Sequence, residues 1–448
     1  MHRKARLIEG HIGKTLTKMT IPMILGLVSI VAFNLVDAFF VGKLGTDALA
    51  ALSFTFPVVL LVGNMAHGIG IGVSSVISRV IGKGNIHMVQ RLTTNSLILA
   101  LLIVTGLVIA GLFTITPVFR ALGATAETIT LIRQYMRIWY PGMIFLVIPI
   151  VGNNAIRAAG NTLIPGIIMT SGALINAILD PILIFGWGPF PRMEIAGAAL
   201  ATLIARSGTM VITLFVLAIR EKMLTFRLES FQSILNSWKQ ILFIGLPSTI
   251  TRIIMPIGIG IITRIVSVYG TCAVAAVGVS ARIEFFAMAA VVALSAVINP
   301  FTGQNWGAGK HQRVIDGLTI GKRFSCLWGV VAFIILFILA EPIAGLFNSN
   351  PAVISIIALY LRIVPLGYCL MGILMISVAT LNVLHKPFHA ALLMIIQMFV
   401  LCVPLAYLGS RLAGLPGVFI AIAAGNIISG IIANGVLGRV LARLIGTK

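Results

Sequence analysis

The sequence predicts an all-α integral membrane protein of about twelve transmembrane helices, arranged as two six-helix lobes. Three observations carry this. Of 448 residues, 59% are hydrophobic and 10% charged, where a soluble protein carries about 25% charged residues; mean hydropathy is +1.10. No water-soluble surface can be built from that composition. The apolar residues fall into segments of about 20, the length that crosses a hydrocarbon core. Finally, one pattern of uncommon residues occurs twice at a fixed offset.

Read with a window of about 19 residues, the spans lie near 20–42, 48–73, 93–116, 131–154, 163–186, 195–218, 240–265, 273–298, 316–340, 353–379, 388–408 and 415–437. An even number places both termini on one side. Basic residues mark that side: Arg3, Lys4, Arg6, Lys14 and Lys18, then Arg79, Lys83 and Arg91. Arg220, Lys222, Arg227 and Lys239 follow, then Lys310, Arg313, Lys322 and Arg323, and at the end Arg439, Arg443 and Lys448. By the positive-inside rule these ends are cytoplasmic, which implies a multi-pass protein of the inner (cytoplasmic) membrane. The net charge of +21 therefore reports topology, and it forms no stripe or tail suited to nucleic acid. The first 18 residues lack a small-residue cleavage site after an apolar core and read as an interfacial helix. Cys272, Cys326, Cys369 and Cys402 are far apart in sequence, lack metal-ligand spacing and imply packing, not a disulfide framework.

The longest polar stretch, Arg220 to Lys239, reads as a cytoplasmic linker over 220–239 between lobes at 1–219 and 240–448. It divides two copies of one pattern. Subtracting 22 from 247 gives 225, the offset of Pro22 from Pro247, and the same offset pairs Gly45 with Gly270, Gly82 with Gly307 and Gly84 with Gly309. It also pairs Pro117 with Pro342, Tyr135 with Tyr360 and Arg137 with Arg362. Apolar helices match easily through Ala and Gly, but matched Pro, Tyr and Arg are uncommon. Each copy has six spans, so the repeat is parallel, related by an axis along the membrane normal, and substrate and coupling-ion sites are expected where such repeats meet.

Only 11 residues are acidic, and burying a carboxylate at mid-membrane costs about 2.5 to 3.5 kcal/mol on insertion scales. Those inside spans need a reason: Asp37 in span 1, Asp180 in span 5 and Glu284 in span 8. Asp37 lies six residues before Lys43 and Asp180 six before Gly186, so both sit about 9 Å below the outer surface at about 1.5 Å per residue. Asn176, four before Asp180, and Asn34, three before Asp37, lie on the same helix faces. A proton or Na⁺ site needs carboxylates that desolvation and a like neighbour make readier to take a positive ion, with amide or hydroxyl oxygens as further ligands. This cluster supplies both. The alternative is that each aspartate is satisfied by local hydrogen bonds. For Glu284, with Arg282 two residues away and Arg252 and Arg264 in the preceding span, a structural ion pair is the leading reading.

Other features are weaker. Arg157, in the Asn153-Asn154 to Asn161 run, reads as a headgroup anchor, and His67 as a hydrogen-bonded core histidine. Met23, Met169 and Met255, with Phe33 and Phe54, can line a yielding apolar cavity. Walker, His-Glu-x-x-His and Gly-x-Ser-x-Gly signatures are missing. No cofactor is expected, enzymes are disfavoured, and energy should come from an ion gradient.

With these residues in place, the chain resembles the multidrug and toxic compound extrusion (MATE) transporters, and within them the DinF-like branch. The matching residues are Pro22, the run Asn34-Leu-Val-Asp37-Ala-Phe-Phe-Val-Gly42, Asn154-x-x-Arg157-x-x-Gly160, Asn176-Ala-Ile-Leu-Asp180-Pro181, Gly197 to Thr202, and Arg282-Ile-Glu284. The resemblance covers essentially the whole chain. It implies an antiporter that exports cationic or amphipathic organic compounds in exchange for H⁺ or Na⁺, acting as a monomer in the bilayer. It further implies a cation site at Asp37, Asn176, Asp180 and Thr202, the same set serving as ligands for Na⁺, helped by a span 4 tyrosine, Tyr135 or Tyr140, and by Asn153 or Asn154. Another branch of the family has an acidic residue in span 7, where this chain has Arg252 and Arg264. A substrate cavity of Met23, Phe33, Asn34, Phe54, Met169, Met255 and Glu284 is expected, with Pro22 as a bending point of span 1. A lipid-linked oligosaccharide flippase of related architecture is the alternative, though such proteins usually add spans and line the cavity with several arginines. A gated channel and a lipid-modifying membrane enzyme stand further back.

Overall fold

In lipid each spanning segment must satisfy its backbone hydrogen bonds internally, and the computed structural model, which describes residues 5–227 and 230–446, is helical throughout those spans. Arg3, Lys4 and Lys448 of the basic termini lie outside the described residues. The helices are α1 (Ile12–Gly42), α2 (Thr46–Gly82), α3 (Ile86–Ala121), α4 (Ala126–Ala158), α5 (Leu163–Phe185), α6 (Glu194–Phe215) and α7 (Phe231–Val266). They continue as α8 (Thr271–Gly307), α9 (His311–Ile338), the short α10 (Ala340–Phe347), α11 (Pro351–Ile363), α12 (Tyr368–Val383), α13 (Pro387–Ile395) and α14 (Val403–Gly446).

Eleven helical runs among the described residues are long and apolar enough to cross a membrane. The last, Pro387–Gly446, has 60 residues, about 90 Å of helix and too long for one crossing. It breaks at Ala413 (φ −138°) and Gly414 (φ 64°, ψ −145°), a conformation glycine adopts without a Cβ penalty. Two spans result, and twelve in all.

The chain divides into two compact units, and the division does not fall in the linker. The first unit takes residues 22–245; the second takes residues 6–21 together with residues 246–446. Relative to the expected lobes at 1–219 and 240–448, residues 6–21 thus change sides, the expected linker at 220–239 goes with the first unit, and so do residues 240–245 of the expected second lobe. Local contacts explain both shifts. In the second unit the Leu7 N–H donates to Gln304 Oε1 (3.0 Å) and Asn305 Nδ2 donates to the Leu7 carbonyl (3.1 Å), while Lys310 Nζ donates to the Ile8 carbonyl and Arg313 Nη2 to the Glu9 carbonyl (both 2.8 Å). In the first unit Trp238 Nε1 donates to the Asn95 carbonyl (2.9 Å) and Asn95 Nδ2 to Ser237 Oγ (3.0 Å). The linker is also shorter than 220–239, because α7 begins at Phe231. The Leu, Phe and Ile scatter read as an amphipathic linker belongs in part to the first turns of that helix.

Within the first unit α4 is the hub, packed against α2, α3 and α6, and α5 packs on α6. Within the second, α12 plays the same part against α8, α9 and α14.

Candidate cation-coupling site

Three contacts fix the register of α1 against α5. A Cβ at Gly166 would come within 2.6 Å of the Pro22 carbonyl oxygen, Ser29 Oγ and Thr170 Oγ1 share a hydrogen bond of 2.9 Å, and the rings of Phe40 and Phe185 meet edge to face at 6.3 Å. Position numbers rise together along both helices, so the two run parallel. Asp37 and Asp180 therefore fall at one level, between the second and third contacts. The close approach at Pro22 exists because residue 166 has no side chain.

Helix α6 packs antiparallel to α5. Gly197 lies under the Leu183 carbonyl and Gly172 under the Thr209 methyl, and between them Asn176 Nδ2 reaches both Asp180 Oδ1 (3.1 Å) and Thr202 Oγ1 (3.4 Å). Asp180 and Asn176 are fully buried, with Thr202 and Asp37 nearly so. Three oxygens of the cluster have no hydrogen-bond partner among the described residues: Asp37 Oδ1, Asp180 Oδ2 and Asn176 Oδ1. Buried polar atoms are almost always paired. Three orphaned acceptors in one cluster, two of them carboxylate oxygens, are what a proton or a small cation would satisfy.

Of the two candidate tyrosines, Tyr135 lies within electrostatic reach of Asp37, Asp180 and Arg206. Tyr140 instead packs its ring where a Gly111 side chain would be and stands edge to face with Trp139 at 5.9 Å. Asn154 Nδ2 donates to the Ile150 carbonyl (2.8 Å), one turn back on its own helix, and fills the space above Gly70, while Asn153 Oδ1 is buried without a partner. Among the described residues neither asparagine has a hydrogen bond to the aspartates.

The sequence reading passed over Arg206. Its guanidinium lies over the Phe33 ring at 5.8 Å, within electrostatic reach of Asp37 and Tyr135. A small cleft beside it is lined by Trp139, Gly142, Ala199, Thr202 and Leu203. Arg206 is four residues after Thr202 and so shares its helix face; that spacing was the available signal.

The expected cavity residues divide. Met23 is fully buried, in contact with Arg157 Nη1 at 3.8 Å, and so lines no open space: the unbranched thioether fills a gap in packing. Arg157 likewise reaches inward to this sulfur. Met169 packs on Gly26, Phe33 under Arg206, Phe54 is half-buried and Asn34 exposed. Met255 and Glu284 belong to the second unit. There Glu284 Oε2 accepts a 2.6 Å hydrogen bond from the Tyr360 hydroxyl, so its closest partner is a tyrosine from α11 and not the arginine that its flanking sequence suggested. Tyr360 in turn meets Phe419 edge to face at 5.1 Å.

The MatE family model matches this chain twice, over residues 22–182 and 247–408. The chain belongs to the MATE family. The two matches begin 225 positions apart, the offset found in the sequence, and each starts at a helix proline, Pro22 or Pro247. MATE relatives include the FAD transporter of Shewanella oneidensis, 36% identical over 425 residues that cover 95% of this chain and 94% of that one. The multidrug export protein MepA of Staphylococcus haemolyticus is 25% identical, covering 92% and 90%. Among solved structures, the bent form of the Vibrio cholerae MATE transporter VcmN superposes with a TM-score of 0.92 at 30% identity, covering 96% and 97%. The protein is thus a multi-pass transporter, not an enzyme.

Proposed function

We propose that this MATE transporter is an antiporter of the DinF-like kind, exporting small organic solutes in exchange for cations, H⁺ or Na⁺, taken up at Asp37 and Asp180. The observation that carries the reading is the set of three unpartnered oxygens on Asp37, Asp180 and Asn176, held inside membrane-spanning helices where an unsatisfied carboxylate is expensive. Thr202 and Asn176 would supply neutral oxygens to a metal ion, and the buried Tyr135 a hydroxyl. A cation bound from outside neutralises the carboxylates and removes the interactions that favour the outward-open form, so it biases a two-state equilibrium by its differential affinity. Pro22 offers the bending point: it lacks an N–H, and the helix backbone loses a bond there. With the basic loops inside, both termini are cytoplasmic.

The solute has two readings. The multidrug relatives favour amphipathic cations. The 36% identity to an FAD transporter, with the half-buried Arg206 inside a span of the first unit, favours a flavin dinucleotide, whose pyrophosphate suits a guanidinium group. Proteoliposomes loaded with FAD or with a fluorescent organic cation, under a pH or a Na⁺ gradient imposed separately, test both. Efflux of either solute that follows the gradient and is lost in Asp180→Asn supports the reading; efflux by Asp180→Asn with unchanged gradient dependence refutes it.

A further inference from the structure

The segment that joins α6 to α7 has the composition of a loose tether, but its first part is fixed to the first unit. After a turn of π-helix over Val216–Arg220, the Met223 N–H donates to the Leu217 carbonyl (2.8 Å) and the Met223 side chain is fully buried. Gln90 Nε2 of α3 donates to the Lys222 carbonyl (3.0 Å). The Thr225 N–H donates to Thr94 Oγ1 (3.0 Å), and that hydroxyl donates to the Thr225 carbonyl (3.3 Å). These bonds set the depth of the segment. Thr94 stands at the foot of the apolar stretch of α3, whose next turns expose Ile98, Leu101 and Leu102, the pattern of a helix facing lipid. Helix α6 and its last turn expose Phe215 and Ile219 directly before Arg220. The segment therefore runs along the boundary between acyl chains and headgroups.

At that boundary the side chains sort by charge. The one acid between 220 and 227, Glu221, is buried and accepts a hydrogen bond from Asn161 Nδ2 (3.3 Å). Arg220, Lys222 and Arg227 are exposed. Phe226, beside Arg227, is 93% exposed.

We propose that residues 220–227 form a docking site for an anionic phospholipid, with Phe226 inserted among the acyl chains and Arg220, Lys222 and Arg227 supplying positive charge at headgroup level. Charge complementarity selects this occupant. Guanidinium groups suit phosphate oxygens, each basic residue near a membrane surface adds attraction for anionic lipid, and apolar rings beside basic residues are the composition of interfacial segments. The positive-inside rule places basic residues on one side of the membrane, but it supplies neither an apolar wedge nor a rigid mount. Here the mount is the pairing of Thr225 with Thr94, one residue from the wedge. The inference is independent of the coupling reading, since it involves none of the cluster residues.

The test reads lipid contact directly. Full-length Phe226→Trp protein is reconstituted in vesicles of phosphatidylcholine and phosphatidylglycerol in equal parts, with bromine on the acyl chains of one lipid or of the other. Quenching of the added indole is the difference from wild type in the same vesicles. The preference for phosphatidylglycerol is expected to be at least about tenfold. It should approach parity when Arg220→Gln, Lys222→Gln and Arg227→Gln are added together, fall several-fold with Arg227→Gln alone, and persist with Arg220→Lys and Arg227→Lys. Parity with all three basic residues intact overturns the proposal, as does a full preference in the monodisperse triple variant. Absence of quenching by either lipid overturns it as well, leaving the ring to water or to a protein partner. So does a preference erased by sodium phosphate but not by sodium chloride of equal ionic strength, which would mark a site for soluble phosphate.

Discussion

Replacing Gly197 with alanine separates the geometry of the cluster from its chemistry, because it adds one methyl group and changes no polar atom. A Cβ at residue 197 would lie 2.4 Å from the Leu183 carbonyl oxygen, 2.6 Å from its carbon and 2.9 Å from Ile184 N, where ordinary contact starts at 3.4 Å. All three are backbone atoms of α5, so no side chain can turn aside. The helices must part by about 1 Å, and overpacking of this kind costs about 1 to 3 kcal/mol. The same movement stretches the Asn176 to Thr202 contact, already 3.4 Å, past hydrogen-bonding distance. Gradient-driven efflux in proteoliposomes should fall at least about tenfold, as displacements of about 1 Å do to positioned groups in enzymes, and the thermal midpoint in detergent should drop. Gly208→Ala on the same helix is the control. Nothing lies within 4 Å of a Cβ there, and alanine is favoured over glycine in a helix by about 0.5 to 1 kcal/mol, so stability should hold or rise. If Gly197→Ala and Gly208→Ala behave alike in both assays, the argument that α5 and α6 position the cluster by direct backbone contact is wrong.

Three further outcomes are expected. Asp37→Asn should abolish the dependence of efflux on an inward cation gradient while leaving a monodisperse protein; retention of that dependence, measured by dye efflux against external pH, would count against Asp37. Tyr360→Phe deletes the 2.6 Å bond to Glu284; it should lower stability by about 0.5 to 1.5 kcal/mol, the net range for an intramolecular hydrogen bond, in thermal unfolding. Gln304→Ala leaves the buried Leu7 N–H without its acceptor, a loss of about 1 to 3 kcal/mol, and should expose the chain after Arg6 and Lys14 to trypsin faster than in wild type.

Asp37, Asp180 and Asn176 were legible in the sequence because a carboxylate in a span is costly and an amide four residues away shares its face. The span count was legible for the same kind of reason, since hydropathy reports the bilayer directly. Tyr135 and Tyr140 could not be told apart: they are five residues apart on one helix, and both are buried. Which of them meets the aspartates depends on how α4 is rotated against its neighbours, and periodicity is silent on that. Arg206 is harder to read from sequence, because a basic residue in a span carries no partner in its own pattern; its place one turn after Thr202, on the same helix face, is the one signal. Glu284 shows the opposite error. Nearby arginines in the sequence suggested an ion pair, but Arg282, two positions along a helix, points elsewhere, and the partner came from 76 positions away. The unit boundary was hidden because it lies within two continuous helices, where composition does not change.

The capture of Leu7 by Gln304 and Asn305 also has a consequence for biogenesis. The two ends of that contact are 297 residues apart, so a ribosome adding about 5 to 20 residues per second exposes the arm for roughly 15 to 60 s before its receptor exists. Through that interval the opening residues must be shielded by lipid headgroups or a chaperone, and the earlier half of the molecule cannot finish folding on its own. A gene cut between the two repeats should therefore yield polypeptides that accumulate only when both are made together.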